Sequence, residues 1–173
     1  GGVGSIAVLI LKKLNFEVIA ATSNREDSKE FILQLAADDH VDRTVTDDTS
    51  GKILRKPRWA GAIDVVGGNV LATLLKSCDY GGNVAACGNI YSGQLHTTVY
   101  PFILNAISLL GVDTQNCPSE LRKEIWKKLA KSWKTDLTGI EREVTLHELD
   151  QAIQHLIDKK NRGQVILKHS FEK

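Results

Sequence analysis

Gly1-Gly2-Val3-Gly4-Ser5 opens the chain and runs straight into the apolar stretch Ile6-Ala7-Val8-Leu9-Ile10-Leu11, with Phe16-Glu17-Val18-Ile19-Ala20-Ala21 close behind. Glycines in a turn let backbone approach a pyrophosphate, and the helix that follows offers unpaired N–H groups and the positive end of its dipole. Glycine turn, helix and β-branched strand are three consecutive parts of a dinucleotide-binding βαβ unit. The strand that feeds such a turn is expected upstream of residue 1, so the chain is read as beginning inside its own motif. Taken alone, the glycines also suit a flexible amino-terminal tail.

Ser23-Asn24-Arg25 follows the second segment, where a dinucleotide fold selective for NAD usually places Asp or Glu to hold the ribose 2′-hydroxyl. A hydroxyl and a guanidinium suit a 2′-phosphate instead, because arginine donates two parallel hydrogen bonds to phosphate oxygens. The cofactor expected is therefore NADP(H). The alternative is a solvated loop in which Arg25 pairs with Glu26 or Asp27. His96, Tyr91 and Asp113 are acid–base types, but each stands isolated in sequence, and no catalytic residue is assigned.

Alternating elements must position these groups. Helical spacing is read over residues 5–14, from residue 26 with Phe31, Ile32 and Leu35 as its stripe, and at Val70, Leu71, Leu74 and Leu75, with Asn69 as the expected cap. Strands are expected at residues 17–22, 41–45, 59–68 and 83–87, with Tyr80-Gly81-Gly82 as a turn, and a last one at 107–113. Their continuous apolar character fits parallel strands buried on both faces. The fold class is α/β, a Rossmann-type doubly wound parallel sheet. Beyond it, Pro118 and Ser119 open a helix with Leu121, Ile125 and Leu129 on one side. Thr145-Leu146-His147-Glu148 then reads as a capping box before a helix striped by Leu149, Ala152, Ile153, Leu156 and Ile157. Strands are expected at residues 139–144 and 164–168.

Composition narrows the function classes. The 173 residues suit one domain with a sizeable core, and 22 basic against 21 acidic side chains leave a formal charge of +1. The basic residues are spread along the chain, which favours neither a nucleic acid nor an anionic membrane as partner. No apolar run approaches the length of a membrane span, and the cytoplasm is the expected location. Cys78, Cys87 and Cys117 are three, far apart and without a CxxC pair, and the five histidines show no ligand spacing beside them. Free thiols are expected, and no metal site.

Gly1-Gly2-Val3-Gly4-Ser5, Ser23-Asn24-Arg25, Trp59-Ala60-Gly61-Ala62-Ile63-Asp64, Tyr80-Gly81-Gly82-Asn83-Val84-Ala85-Ala86-Cys87-Gly88, Pro101-Phe102-Ile103-Leu104 and Gly111-Val112-Asp113 occur in this order. With them the chain resembles the medium-chain dehydrogenase/reductase superfamily, specifically its zinc-free quinone oxidoreductase-like branch that includes acrylyl-CoA reductases. The resemblance runs from the glycine turn to the closing strand. It implies an NADP-binding Rossmann domain over residues 1–140 and, over 141–173, the carboxy-terminal part of a GroES-like catalytic domain whose remainder would lie upstream. It implies hydride transfer from NADPH to an activated C=C bond or a quinone, with substrate groups supplied chiefly by that upstream domain, so residues 1–173 alone are expected to be inactive. A zinc-dependent alcohol dehydrogenase and a non-catalytic nucleotide-binding relative stay open as alternatives.

The resemblance also implies cofactor contacts from Gly1, Gly2, Val3, Gly4, Ser23, Asn24 and Arg25, although relatives carry Ser-Gly-Arg where this chain has Asn24. Lys52 stands roughly where relatives place a basic residue near the adenosine phosphate. Gly88 and Asn89 match backbone that passes the nicotinamide ribose, and Ile103 and Leu104 match an apolar segment on the nicotinamide side. Asn105 and Gln164 stand where relatives often have a basic residue. Homodimerisation through the strand from Ile107 to Val112 is the expected assembly.

Overall fold

Apolar residues at helical spacing alternate with β-branched runs along this chain, and the computed structural model turns that alternation into seven strands and six helices over residues 1–22, 26–158 and 160–169, the residues it describes. The order is α1 (Gly2–Lys13), β1 (Ile19–Thr22), α2 (Glu26–Gln34), β2 (Asp39–Asp42), β3 (Trp59–Asp64), α3 (Gly68–Ser77) and β4 (Cys78–Ala86). Then come α4 (Tyr100–Asn105), β5 (Ser108–Gly111), α5 (Ser119–Ala130), β6 (Glu141–Val144), α6 (Leu149–Ile157) and β7 (Gln164–Leu167).

Every pairing is parallel. β1 pairs with β2, β4 lies between β3 and β5, and β6 pairs with β7, giving three separate hydrogen-bonded sheets. Parallel neighbours need crossovers, and helices supply them between β1 and β2, β3 and β4, β4 and β5, and β6 and β7. This is the Rossmann-like α/β class expected from the sequence.

The core sits where α3 lies on the three-stranded sheet. Val70, Leu71, Leu74 and Leu75 of α3 meet Cys78, Val84 and Ile107, with Trp59, Ala62, Phe102 and Leu109 packed around them. The loop before β3 is tied to the other side of α3. Thr73 Oγ1 accepts from the Asp48 N–H (3.0 Å), the Asn69 amide donates to Asp47 Oδ1 (2.6 Å), and Lys76 Nζ meets Asp48 Oδ2 at 2.7 Å. That ammonium, with the Ser50 hydroxyl, holds the Asp48 carboxyl down at about 2. At the far end of α1, Asp38 accepts from the Val18 N–H and from Lys12, fixing the entry into β1.

Several expectations need correction. Asn69 does not cap α3: Gly67 takes the N-cap position, with Gly67 and Gly68 at φ of 74° and 59°, and Asn69 reaches sideways to Asp47. The strand expected at 41–45 is β2, three residues earlier in its end, because Asp42 caps a 3₁₀ turn at Arg43–Thr46 by accepting the Thr44 N–H. Tyr80-Gly81-Gly82 lies inside β4 as a bulge. The register slips from Trp59↔Cys78 to Gly61↔Asn83, with Gly81 at φ 74°.

The strands are not buried on both faces either. Val84 is fully buried, whereas Ile63 and Leu110 are exposed, since α3 and α4 cover one side of this sheet. The stripe of α5 is likewise unburied, with Leu121 49% exposed and no buried residue in the helix. In α6 only Ala152 is buried, while Ile153, Leu156 and Ile157 face outward. The capping box ahead of α6 is present: Glu148 Oε2 accepts from both the Thr145 N–H and its hydroxyl at 2.8 Å.

Candidate functional site

Strands running in parallel bring their carboxyl ends to one edge, where open α/β sheets bind ligands. At that edge of β3 and β4 the chain makes two turns that lock into each other. Asp64, the last residue of β3, is 2% exposed, and its carboxylate accepts from the Val66 N–H (3.2 Å) and the Gly67 N–H (2.8 Å). Burial pushes the Asp64 carboxyl up from its ordinary range, against the lowering effect of those two donors. The Asp64 carbonyl accepts from the Cys87 N–H at 2.9 Å and from its thiol at 3.2 Å. The Tyr91 N–H then donates to the Val66 carbonyl at 2.9 Å.

Gly88 fits only because it lacks a Cβ, which would stand 2.6 Å from the Val65 carbonyl oxygen. Asn89 follows, its Cα closing over Gly67. Both of these sequence-proposed contacts therefore sit at the β3–β4 edge. Ile103 and Leu104 lie exposed on α4, whose αL cap at Ala106 turns the chain into β5.

The glycine start is helical from Gly2 onward. Gly1 takes the N-cap position without a side-chain cap, and the Ser5 hydroxyl bonds the Gly1 carbonyl at 2.9 Å. First-turn N–H groups have no intrahelical acceptor, so Gly2, Val3 and Gly4 present donors with the positive helix end. Lys12 and Lys13 occupy the last turn, where they suit the opposite pole. Against Gly2 lies Gln164 of β7, whose Nε2 stands 1.6 Å from where a Cβ would be. Thus the structure joins the two ends of the described chain at the glycines, a contact between residues too far apart in sequence for any spacing rule to reveal.

Lys52 lines a cleft of about 450 Å³ with Asn69, Lys76 and His96, and among the described residues no other proposed contact lines it. Leu104 borders a second, apolar cleft with Ile53, Leu54 and Tyr100. Ser23, Asn24 and Arg25 lie outside the described residues. Among the acid–base types, Asp113 has a structural task, accepting from the Gln115 and Asn116 N–H groups, and Asn116 holds its carboxyl below the usual range. Asp64 is the site residue that the sequence reading missed; an Asp three residues before a Gly-Gly pair was the available signal.

Among the described residues, no group of three or more His, Cys, Asp or Glu side chains could hold a metal ion, and no helix is long and apolar enough to cross a membrane. A family model described as zinc-binding dehydrogenase matches residues 2–131. The chain is 42% identical over 170 residues to the Bacillus subtilis protein YhfP, named a quinone oxidoreductase, covering 97% of this chain and 51% of that protein. It is 38% identical over 169 residues to the Escherichia coli protein AcuI, named an acrylyl-CoA reductase, again covering 97% and 51%. Among solved structures, YhfP with NAD bound superposes with a TM-score of 0.92 at 41% identity, over 98% of this chain and 52% of that one. E. coli YhdH with bound NADPH gives 0.90 at 38% identity, over 97% and 51%. The chain thus spans about half the length of the curated relatives it matches.

Proposed function

The chain belongs to the zinc-binding dehydrogenase family, within the medium-chain dehydrogenase/reductase superfamily, and from that premise we propose that it is the cofactor-binding part of an NADPH-dependent reductase. The substrate class is an activated C=C bond or a quinone: an acryloyl thioester, an enone or a quinone ring. One observation carries this reading, the 42% and 38% identity to proteins named quinone oxidoreductase and acrylyl-CoA reductase over nearly all of this chain. The structures of similar proteins with NAD or NADPH bound support a nicotinamide cofactor.

The residues fit that cofactor. The uncapped glycine start of α1 offers N–H donors to the pyrophosphate. Ser23 and Arg25 donate to the 2′-phosphate, with Asn24 between them, and Lys52 adds a positive charge on the adenosine side. Gly88 and Asn89 bring bare backbone to the nicotinamide ribose, and the exposed side chains of Ile103 and Leu104 give the ring an apolar wall. A bound cofactor would supply the hydride to the electron-poor carbon, with a proton added at its neighbour, and the protein would supply binding and orientation. No residue of this chain is assigned to that proton.

Residues 1–140 form the nucleotide-binding domain in this reading, and residues 141–173 belong with the substrate-binding domain. The protein works in the cytoplasm as a homodimer paired through the strand from Ile107 to Val112. The described residues offer no ligand set for the zinc of the family's name.

A second reading follows from that name: a zinc-dependent alcohol dehydrogenase. The intact protein separates the two. NADPH oxidation with acryloyl-CoA or a 1,4-quinone, unchanged by a chelator, is the expected result. Oxidation of simple alcohols that a chelator abolishes, with no quinone or thioester reduction, would replace this reading by the second. Tight cofactor binding with no turnover on any of these substrates would indicate a non-catalytic relative.

A further inference from the structure

The turn between β3 and α3 must end a strand and start a helix within four residues, and it does so through Gly67 and Gly68, both at positive φ. Asp64 holds this turn from inside. Its two carboxylate oxygens take separate N–H donors, from Val66 and Gly67, and its carbonyl takes both donors of Cys87. The turn in turn holds the loop after β4. The Val65 carbonyl accepts from the Ile90 N–H, the Val66 carbonyl accepts from the Tyr91 N–H, and Gly67 bridges Ser92. Contacts here leave no slack: a Cβ on Gly67 would stand 2.2 Å from the Ser92 carbonyl oxygen. Gly88 and Asn89 therefore have their place set by a chain of contacts that begins at one buried carboxylate.

We propose that Asp64 is a positioning residue for the nicotinamide half of the cofactor site, acting through the Val65–Gly67 backbone on Gly88 and Asn89. The inference rests on the NADPH reading above. A carboxylate is needed because both oxygens accept; the amide of asparagine would turn an N–H₂ group toward one of the two N–H donors. The adenosine half depends on α1 and the end of β1, whereas Asp64 bonds to Val66, Gly67 and Cys87. Loss of Asp64 should thus be felt at one end of the dinucleotide only. A merely structural role would weaken both ends together.

The test titrates the intact protein, as wild type, Asp64→Asn and Asp64→Ala, with NADPH and with adenosine 2′,5′-bisphosphate, which lacks the nicotinamide half. Expected is a loss of NADPH affinity of about 10-fold in Asp64→Ala and a smaller loss in Asp64→Asn, with the bisphosphate held to within about 2-fold. Thermal melting checks folding, and if Asp64→Ala does not fold, the isosteric Asp64→Asn carries the same comparison. Equal losses for both ligands, or no loss for either, would overturn the role of Asp64 while leaving the NADPH reading intact. Wild type that binds neither ligand would overturn that reading and this inference with it.

Discussion

An arginine next to a 2′-phosphate does different work from an arginine that merely shapes a loop, and the two can be told apart. With the guanidinium on the phosphate, Arg25→Ala should weaken NADPH binding by about 1.5–3 kcal/mol, the range for a hydrogen bond to a charged group, and leave NADH nearly unchanged. Added salt should weaken NADPH more than NADH, because an exposed ion pair is screened. Ser23→Ala should act in the same direction by less, since it removes a neutral donor. Titration of both cofactors against wild type and the two variants decides it: equal losses for NADH and NADPH would end the NADP assignment. Gly88 offers a second residue-scale test. A methyl group at 2.6 Å from the Val65 carbonyl must push one turn away from the other, so Gly88→Ala should cost about 1–3 kcal/mol in denaturant unfolding. What was legible at this scale was what one local sequence can impose. Gly88 could be singled out because a strand-ending glycine is a local signal, whereas the link from the Asp64 carbonyl to Cys87 and the contact of Gln164 with Gly2 join residues that only the fold brings near.

Elements were legible where their own residues decide them. The stripe Val70, Leu71, Leu74 and Leu75 gave α3 correctly, because those side chains do form the core. The same kind of stripe at Leu121, Ile125 and Leu129 gave the helix α5 correctly and left its burial open, since periodicity states which face is apolar and not what covers it. The difference has a measurable consequence. Leu75→Ala, at a fully buried position, should cost about 2–5 kcal/mol of stability, whereas Leu121→Ala, about half exposed, should stay within about 0.5 kcal/mol. A loss at Leu121 as large as that at Leu75 would show that the outer face of α5 is covered in solution. The ion pair of Asp48 with Lys76, on the loop that braces α3, sets a pH window. Its carboxyl titrates near 2 when folded and near 4 when unfolded, so the stability it adds is present above about pH 4 and disappears as pH falls toward 2. Asp48→Asn should lower stability by a constant amount above about pH 5 and flatten the acid limb over that window, so that the two curves converge toward pH 2.

At the scale of the whole molecule, the sequence could announce parallel strands but not how many edges they would leave. β5 pairs with β4 on one side only, and among the described residues nothing pairs with its other edge. Leu110 is 50% exposed there, with Val112 just beyond it also exposed. An apolar, unpaired edge strand is a template for another strand, and a second copy of the same chain supplies one with its own backbone donors in register about a twofold axis. That is the physical basis for proposing a homodimer through the strand from Ile107 to Val112. Natural edges are kept apart by charge, and lysine is the residue most often used for it. Leu110→Lys should therefore convert a dimer of the intact protein to a monomer, while cofactor affinity stays within about 2-fold, because Leu110 is not among the residues proposed to contact the cofactor. Light scattering coupled to size exclusion, run on wild type and variant at the same concentration, reads this directly. A wild-type monomer, or a dimer that survives Leu110→Lys undiminished, would place any association on another surface.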